Sequence, residues 1–266
     1  MHPNFAKKVI FLCAGLLLAP LLHAQATRLD KVIAAKEIRV CIWPDYYGIS
    51  YRNPKTRQLS GLDVEFADDF AKSLGVGLRF VDSSFPQLAD NLLNDRCDLA
   101  MHGVGITPQR SAAVSFSQPY MRSDIFAITT KSNAVIKGWS DLDQPGRVIA
   151  VQAATVMVEV MQANSKHAKI VVVTPPATRQ SEVEAGRADA FMTDFPFSRR
   201  MLDTTDWARL IEPPKTFHIT TYAAAFAPGD KSLQDKLNQL IQVSKKNGRL
   251  MAIARKYKLE PMMISE

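Results

Sequence analysis

The chain has 266 residues, 47% of them hydrophobic and 22% charged, which is enough to bury a large core and to form two lobes. Its formal charge of +7 comes from 33 basic and 26 acidic residues. They are spread along the chain with only short clusters such as Arg199-Arg200 and Lys245-Lys246, a pattern of solvated surface that excludes a nucleic-acid track.

Lys7 and Lys8 precede an apolar run from Val9 to Leu22, shorter than the ~20 residues of a spanning helix. Ala24-Gln25-Ala26 then supplies small residues at cleavage spacing, so residues 1–26 read as a signal peptide. Removing Lys7 and Lys8 lowers the formal charge from +7 to +5. Cys13 sits inside the apolar run, whereas a lipidated cysteine would end it. A soluble, exported chain is expected. Cys41 and Cys97 remain, and an oxidising compartment permits a bridge worth roughly 4 kcal/mol in the chain-entropy model. Two buried thiols on neighbouring strands are the alternative, because spacing alone does not bring Cα atoms within the ~7 Å a bridge needs. No His or Asp stands at metal-ligand spacing from either, so no metal site is expected.

Strands and helices alternate along the mature chain. Ile38 to Trp43 reads as a strand and Tyr46 to Ser60 as a loop. Leu62, Phe66, Phe70 and Leu74 mark one face of a helix that Gly75 ends. Leu78 to Val81 is a strand, Leu88, Leu92 and Leu93 mark a short helix, and Leu99 to His102 is a third strand. This order predicts a parallel sheet with right-handed crossovers. The pattern then restarts, with strands at Ile125 to Thr130, Val148 to Gln152, Ile170 to Val173 and Ala188 to Thr193. A capped turn is expected at Ser140-Asp141-Leu142, and helices at Thr155 to Ala163 and Ser181 to Gly186. Phe217 to Ala227 is extended, and two tail helices carry Leu233, Leu237, Leu240 and Ile241, then Leu250, Ile253 and Tyr257. Two α/β lobes are expected, one of residues 27–126 plus 223–266 and one of 127–222. Their crossings are expected near Ile125–Thr130 and Thr220–Ala225.

In open α/β sheets ligands bind beyond the carboxyl ends of the strands. Here those ends are Trp43 to Tyr47, His102 to Arg110, Gln152 to Thr155, and Thr193-Asp194. Thr107 suits an N-cap and Pro108 the first helical position, which puts Arg110 in the first turn. A cation there opposes the helix dipole, unless an anion is held between it and the free N–H groups. Arg110 matches a carboxylate bidentately. Gly103 and Gly105 let backbone N–H groups approach, and Thr155 starts a second helix facing the same anion. Asp194 suits a ligand ammonium or caps the segment after it. Trp43, Tyr46, Tyr47 and Phe85 are candidate walls.

Gly61-Leu-Asp-Val-Glu-Phe66 with Phe70-Ala71, then Ile106-Thr-Pro-Gln-Arg110, Ser115-Phe-Ser-Gln-Pro-Tyr120 and Gly186-Arg-Ala-Asp-Ala190 with Asp194, resembles family 3 of the bacterial extracellular solute-binding proteins. The resemblance covers the whole mature chain. It implies a type II periplasmic-binding fold of two α/β lobes joined by two hinge strands, in a periplasmic protein that delivers a small carboxylate, above all an amino acid, to a membrane ABC permease. It also implies that Arg110, Gly103 and Thr155 hold the α-carboxylate, Asp194 the ammonium, and aromatics near Tyr46 and Phe85 the side chain. The sequence departs from that pattern at four places. Gly105 replaces a frequent Ser or Thr, His102 a small residue at the pocket edge, Gly48-Ile49 a Pro-Phe, and Ala154 a Gly.

The same scaffold supports two other readings. One is a cyclohexadienyl-dehydratase-like enzyme using His102 or Asp194 as acid or base; the other is an accessory subunit of a quinoprotein dehydrogenase. No Gly-x-Ser-x-Gly elbow, His-Glu-x-x-His or P-loop is present, so the chain is expected not to be an enzyme and to need no cofactor. A monomer is expected.

Overall fold

The computed structural model describes residues 26–229 and 231–264. The leader expected over residues 1–26 lies outside the described residues except for Ala26.

Two sheets carry the fold. In the first, Glu37–Ile42 lies between parallel neighbours Gly77–Asp82 and Leu99–Gly105, and Thr220–Phe226 runs antiparallel beside Leu99–Gly105. Ser115–Phe116 and Met121–Ser123 pair with Thr220–Phe226. In the second, Val148–Gln152 lies between parallel Lys169–Val173 and Ala190–Asp194, followed by antiparallel Ile125–Thr130 and Ala208–Ile211. The same arrangement, a first strand flanked by its two successors, occurs twice. All seven residues of Leu99–Gly105 and all five of Ala190–Asp194 are buried, as expected of central strands covered on both faces.

Helix Leu62–Leu74 forms as its spacing predicts. Leu62, Phe66 and Phe70 are fully buried against the first sheet, and Gly75 ends the helix at φ +69°. The tail helices Ser232–Lys246 and Arg249–Lys256 bury Leu233, Leu237, Ile241, Leu250 and Ile253 in the same core. Two segments differ from expectation. The loop expected over Tyr46 to Ser60 folds into a small meander of Asp45–Tyr46, Ser50–Arg52 and Leu59–Ser60. Its tip is turned by Asn53, whose Oδ1 accepts the N–H groups of Lys55 and Thr56. The passages between sheets also fall earlier than expected: Ile125–Thr130 lies wholly in the second sheet and Thr220–Phe226 wholly in the first. Asp124 sets this, because its carboxylate accepts from Ile125 N (2.8 Å), Phe217 N (3.0 Å) and His218 N (2.8 Å) and so ties the two passages together.

Cys41 and Cys97, left open by the sequence, are bridged, with Cα atoms 5.7 Å apart and both side chains buried. The bridge links the first strand to the turn before Leu99–Gly105. Replacing both cysteines by alanine is expected to lower unfolding free energy by roughly 2–4 kcal/mol, as usual for a loop of this size. Urea melts of the two forms would show it, and superimposable melts would refute it.

Candidate ligand-binding site

The carboxyl ends of the central strands meet between the two sheets around a cavity of about 30 Å³. That space holds one or two water-sized groups, so the facing surfaces are nearly in contact. A wider recess of about 400 Å³ opens outward beside it, sharing Phe85, Arg110 and Thr155 and adding Ala154 and Glu159.

Asp194 closes the buried strand of the second sheet and caps helix Phe195–Thr204, its Oδ1 accepting from Phe197 N at 3.3 Å. Its Oδ2 accepts from the hydroxyls of Tyr46 and Tyr222, the latter at 3.0 Å. Burial and the Asp194 charge push both phenols well above their usual range, so they remain donors. The carboxylate that caps this helix also lines the cavity, so the capping role does not withdraw it from the cleft.

Arg110 lies where its motif predicts. Thr107 Oγ1 accepts Arg110 N at 3.2 Å, and Pro108 opens the short helix Pro108–Ser111. Its guanidinium donates to Gly105 O (2.8 Å) on its own strand and to Ala154 O (2.9 Å) on the other sheet, and lies 5.2 Å from the centre of the Phe85 ring. Among the described residues it forms no ion pair. It is a partly buried cation whose hydrogen bonds go to neutral acceptors; burial lowers its affinity for the proton, while the Glu159 charge acts the other way.

The backbone donors expected around it are arranged differently. Gly103 N–H donates to buried Asp63 (2.7 Å), and φ of +60° at Gly103, with Tyr46 Cε1 2.8 Å from where a Cβ would stand, explains the glycine. A Cβ at Gly105 would lie 2.8 Å from Val156 Cγ2 and 2.9 Å from Thr220 Cγ2. A valine methyl from the opposite lobe thus fills the space of the expected Ser or Thr hydroxyl. Thr155 donates through both its N–H (3.3 Å) and its hydroxyl (2.7 Å) to Gln152 O, inside its own turn. Helix Val156–Asn164 carries no side-chain cap; Val158 N–H donates to Thr155 O at 3.2 Å, and the N–H groups of Val156 and Met157 stay open to an anion. Ala154 takes φ +57°, a left-handed conformation costing roughly 1–2 kcal/mol for a non-glycine residue, and its carbonyl receives Arg110.

Trp43, Tyr46 and Phe85 form one aromatic cluster with ring centroids 5.3–6.1 Å apart, and all three line the cavity. Two expected site residues lie elsewhere. Tyr47, in the turn that follows strand Asp45–Tyr46, packs edge-on against Tyr51 at 5.6 Å and lines a separate recess with Arg199 and Lys256. His102 is 0% exposed and contacts the cluster from behind, 5.0 Å from Phe85, with neither ring nitrogen hydrogen-bonded. Burial, then the Arg110 charge, push its pKa down to about 3. A fully buried imidazole outside the cavity wall packs as core and lacks the ligand contact that the suggested acid or base role requires.

Four residues absent from the expected site line the cavity: Val156, Met157, Tyr222 and Arg179. Arg179 carried a readable signal, since it follows a threonine cap and opens helix Arg179–Glu184, repeating the oddity that marks Arg110.

Residues 38–260 match the bacterial extracellular solute-binding proteins, family 3. The chain belongs to that family. Family 3 relatives include the cyclohexadienyl dehydratase of Pseudomonas aeruginosa, 30% identical over 90% of this chain and 88% of the relative. The L-cystine-binding protein TcyJ of Escherichia coli K12 is 27% identical over 75% of this chain and 74% of its own. Among solved structures, the ancestral amino acid-binding protein AncCDT-1, a precursor of cyclohexadienyl dehydratase, superposes with a TM-score of 0.77 at 30% identity, covering 86% of this chain and 98% of that one. The type II periplasmic-binding fold expected from the sequence is the fold observed. The expectation that the chain is not an enzyme is overturned by the dehydratase relative, and an ancestral dehydratase, AncCDT-3, is also a structural neighbour at 30% identity and a TM-score of 0.54. The physical reason is that a closing, water-excluding cleft serves either capture or elimination, so missing hydrolase motifs do not decide between them.

Proposed function

We propose that this family 3 protein captures an amino acid or similar small carboxylate between its lobes in the periplasm and presents it to a membrane ABC permease. Arg110 carries the reading: a partly buried guanidinium held between carbonyls of both lobes, with no ion-paired carboxylate among the described residues, beside a helix start without a side-chain cap. Asp194 offers the complementary charge to an ammonium. The cavity of about 30 Å³ is smaller than any amino acid, so capture begins from a wider cleft and ends in closure about the passages tied by Asp124. Relatives support an amino-acid ligand: one is an L-cystine-binding protein, and AncCDT-1 is described as a cationic amino acid solute-binding protein.

A second reading, favoured by the dehydratase relative, is elimination of water from a cyclic acid in the same cleft, with Asp194 and its two tyrosines as the proton-transfer groups. Calorimetry of the wild type against amino acids, keto acids and prephenate-like acids, with product assayed in parallel, separates the two. Saturable binding without product supports capture, and product formation supports elimination. Absence of any binding overturns both and leaves the accessory subunit. Asp194→Asn is expected to weaken amino acids at least tenfold more than the corresponding desamino acids; equal losses would remove the ammonium role, and a melt would register any loss of the helix cap.

A further inference from the structure

Arg179 is a second cation in this cavity, more deeply buried than Arg110, and the charges common to all α-amino acids leave it unanswered. It is 5% exposed, lines the cavity, and makes one hydrogen bond, from Nη2 to Thr193 Oγ1 at 3.1 Å. Among the described residues it forms no ion pair. The rings of Phe197 (4.1 Å) and Phe191 (5.4 Å) hold the guanidinium in place without neutralising it. The field of Asp194 reaches it most strongly and that of Asp45 more weakly, but Asp194 is engaged by Tyr46, Tyr222 and Phe197 N, and Asp45 by Arg200 at 2.8 Å. Burial lowers its pKa to about 10, which leaves it charged at neutral pH.

Two guanidinium groups and one carboxylate give the cavity lining an excess of one positive charge. A zwitterionic ligand with a neutral side chain brings no net charge and leaves that excess buried. A ligand with a basic side chain adds a second like charge beside Arg179, which a desolvated site disfavours. A ligand of net charge −1 with two acid groups neutralises the site.

We propose that the ligand is a dicarboxylate, above all an acidic amino acid, with one carboxylate held by Arg110 and the second by Arg179. The inference rests on the capture reading above and specifies the substrate class of that same site. Because Asp194 already accepts from Phe197 N, Tyr46 and Tyr222, the amine adds to the binding set without being required by it.

The test is calorimetry of L-glutamate, L-glutamine, L-aspartate, L-asparagine, glutarate and succinate on the wild type, Arg179→Met and Arg179→Lys, with a thermal melt of each. The wild type is expected to bind the acid of at least one pair tenfold or more tightly than its amide. Arg179→Met should erase that ratio by weakening the acid at least tenfold more than the amide, and Arg179→Lys should retain most of the ratio. Glutarate or succinate binding as tightly as the amino acids would assign the site to dicarboxylates in general; much weaker binding would assign it to acidic amino acids. Equal affinity for acid and amide in the wild type overturns the proposal, as does an unchanged ratio in a folded Arg179→Met. If Arg179→Met does not melt cooperatively, the wild-type and Arg179→Lys ratios decide. Binding of neutral amino acids alone refutes the second-carboxylate assignment and leaves capture standing, whereas no binding by any carboxylate refutes both.

Discussion

Arg110→Ala is expected to weaken binding of the tightest amino-acid ligand by roughly 2–5 kcal/mol, the range for truncating one partner of a buried charge pair. Most of that loss is the cost of leaving the ligand's carboxylate desolvated without its donor fork. The substitution also removes the bonds to Gly105 O and to Ala154 O, and with the latter a direct link between the lobes. A thermal melt therefore accompanies the calorimetry. Arg110→Lys keeps the charge and loses the fork, so its affinity should fall between the wild type and Arg110→Ala. Unchanged affinity in Arg110→Ala would remove this residue from the site.

His102 is expected to make the fold acid-sensitive. Its folded pKa of about 3 is depressed from the ordinary 6.5 because the ring is fully buried and near Arg110. The unfolded chain thus takes up a proton that the folded chain refuses. The stabilisation is fully present above pH 6.5 and is lost as pH falls towards 3, at about 1.4 kcal/mol per pH unit and roughly 4–5 kcal/mol in all. Asp63 acts in the opposite sense. Desolvation raises its carboxyl to about 6 from 3.8, so its contribution is full below pH 3.8 and lost as pH rises through 6. The clean observable is consequently a difference. Urea melts of wild type and His102→Leu between pH 7.5 and 4 should diverge progressively below pH 6.5, with the wild type losing stability faster. Parallel profiles would show that the imidazole titrates normally in the fold.

Much of the architecture was legible because its signals are local. The four-residue repeat of Leu62, Phe66 and Phe70 needs only helix geometry, and Thr107 with Pro108 announces a helix start from two side chains. Arg110 stood out by violating the dipole preference of its own helix. The same reasoning applied to Thr178-Arg179 would have found the second cation. Other assignments failed where the answer depended on residues far away. Nothing near His102 in the chain places Phe85 over it. Gly105 read as a missing hydroxyl until the methyls of Val156 and Thr220 showed why no side chain fits there.

The sequence by itself determined the repeated α/β layout, the family and the arginine at the head of a short helix, because each is written in contiguous residues. The tertiary structure decided the Cys41–Cys97 bridge, the withdrawal of Tyr47 and His102 from the cleft, and the buried guanidinium of Arg179 beside it. Those outcomes depend on which surfaces face each other once the lobes meet. Whether a polar group is wall, core or ligand contact depends on the distant side chains that desolvate it and on whether they include its counter-charge.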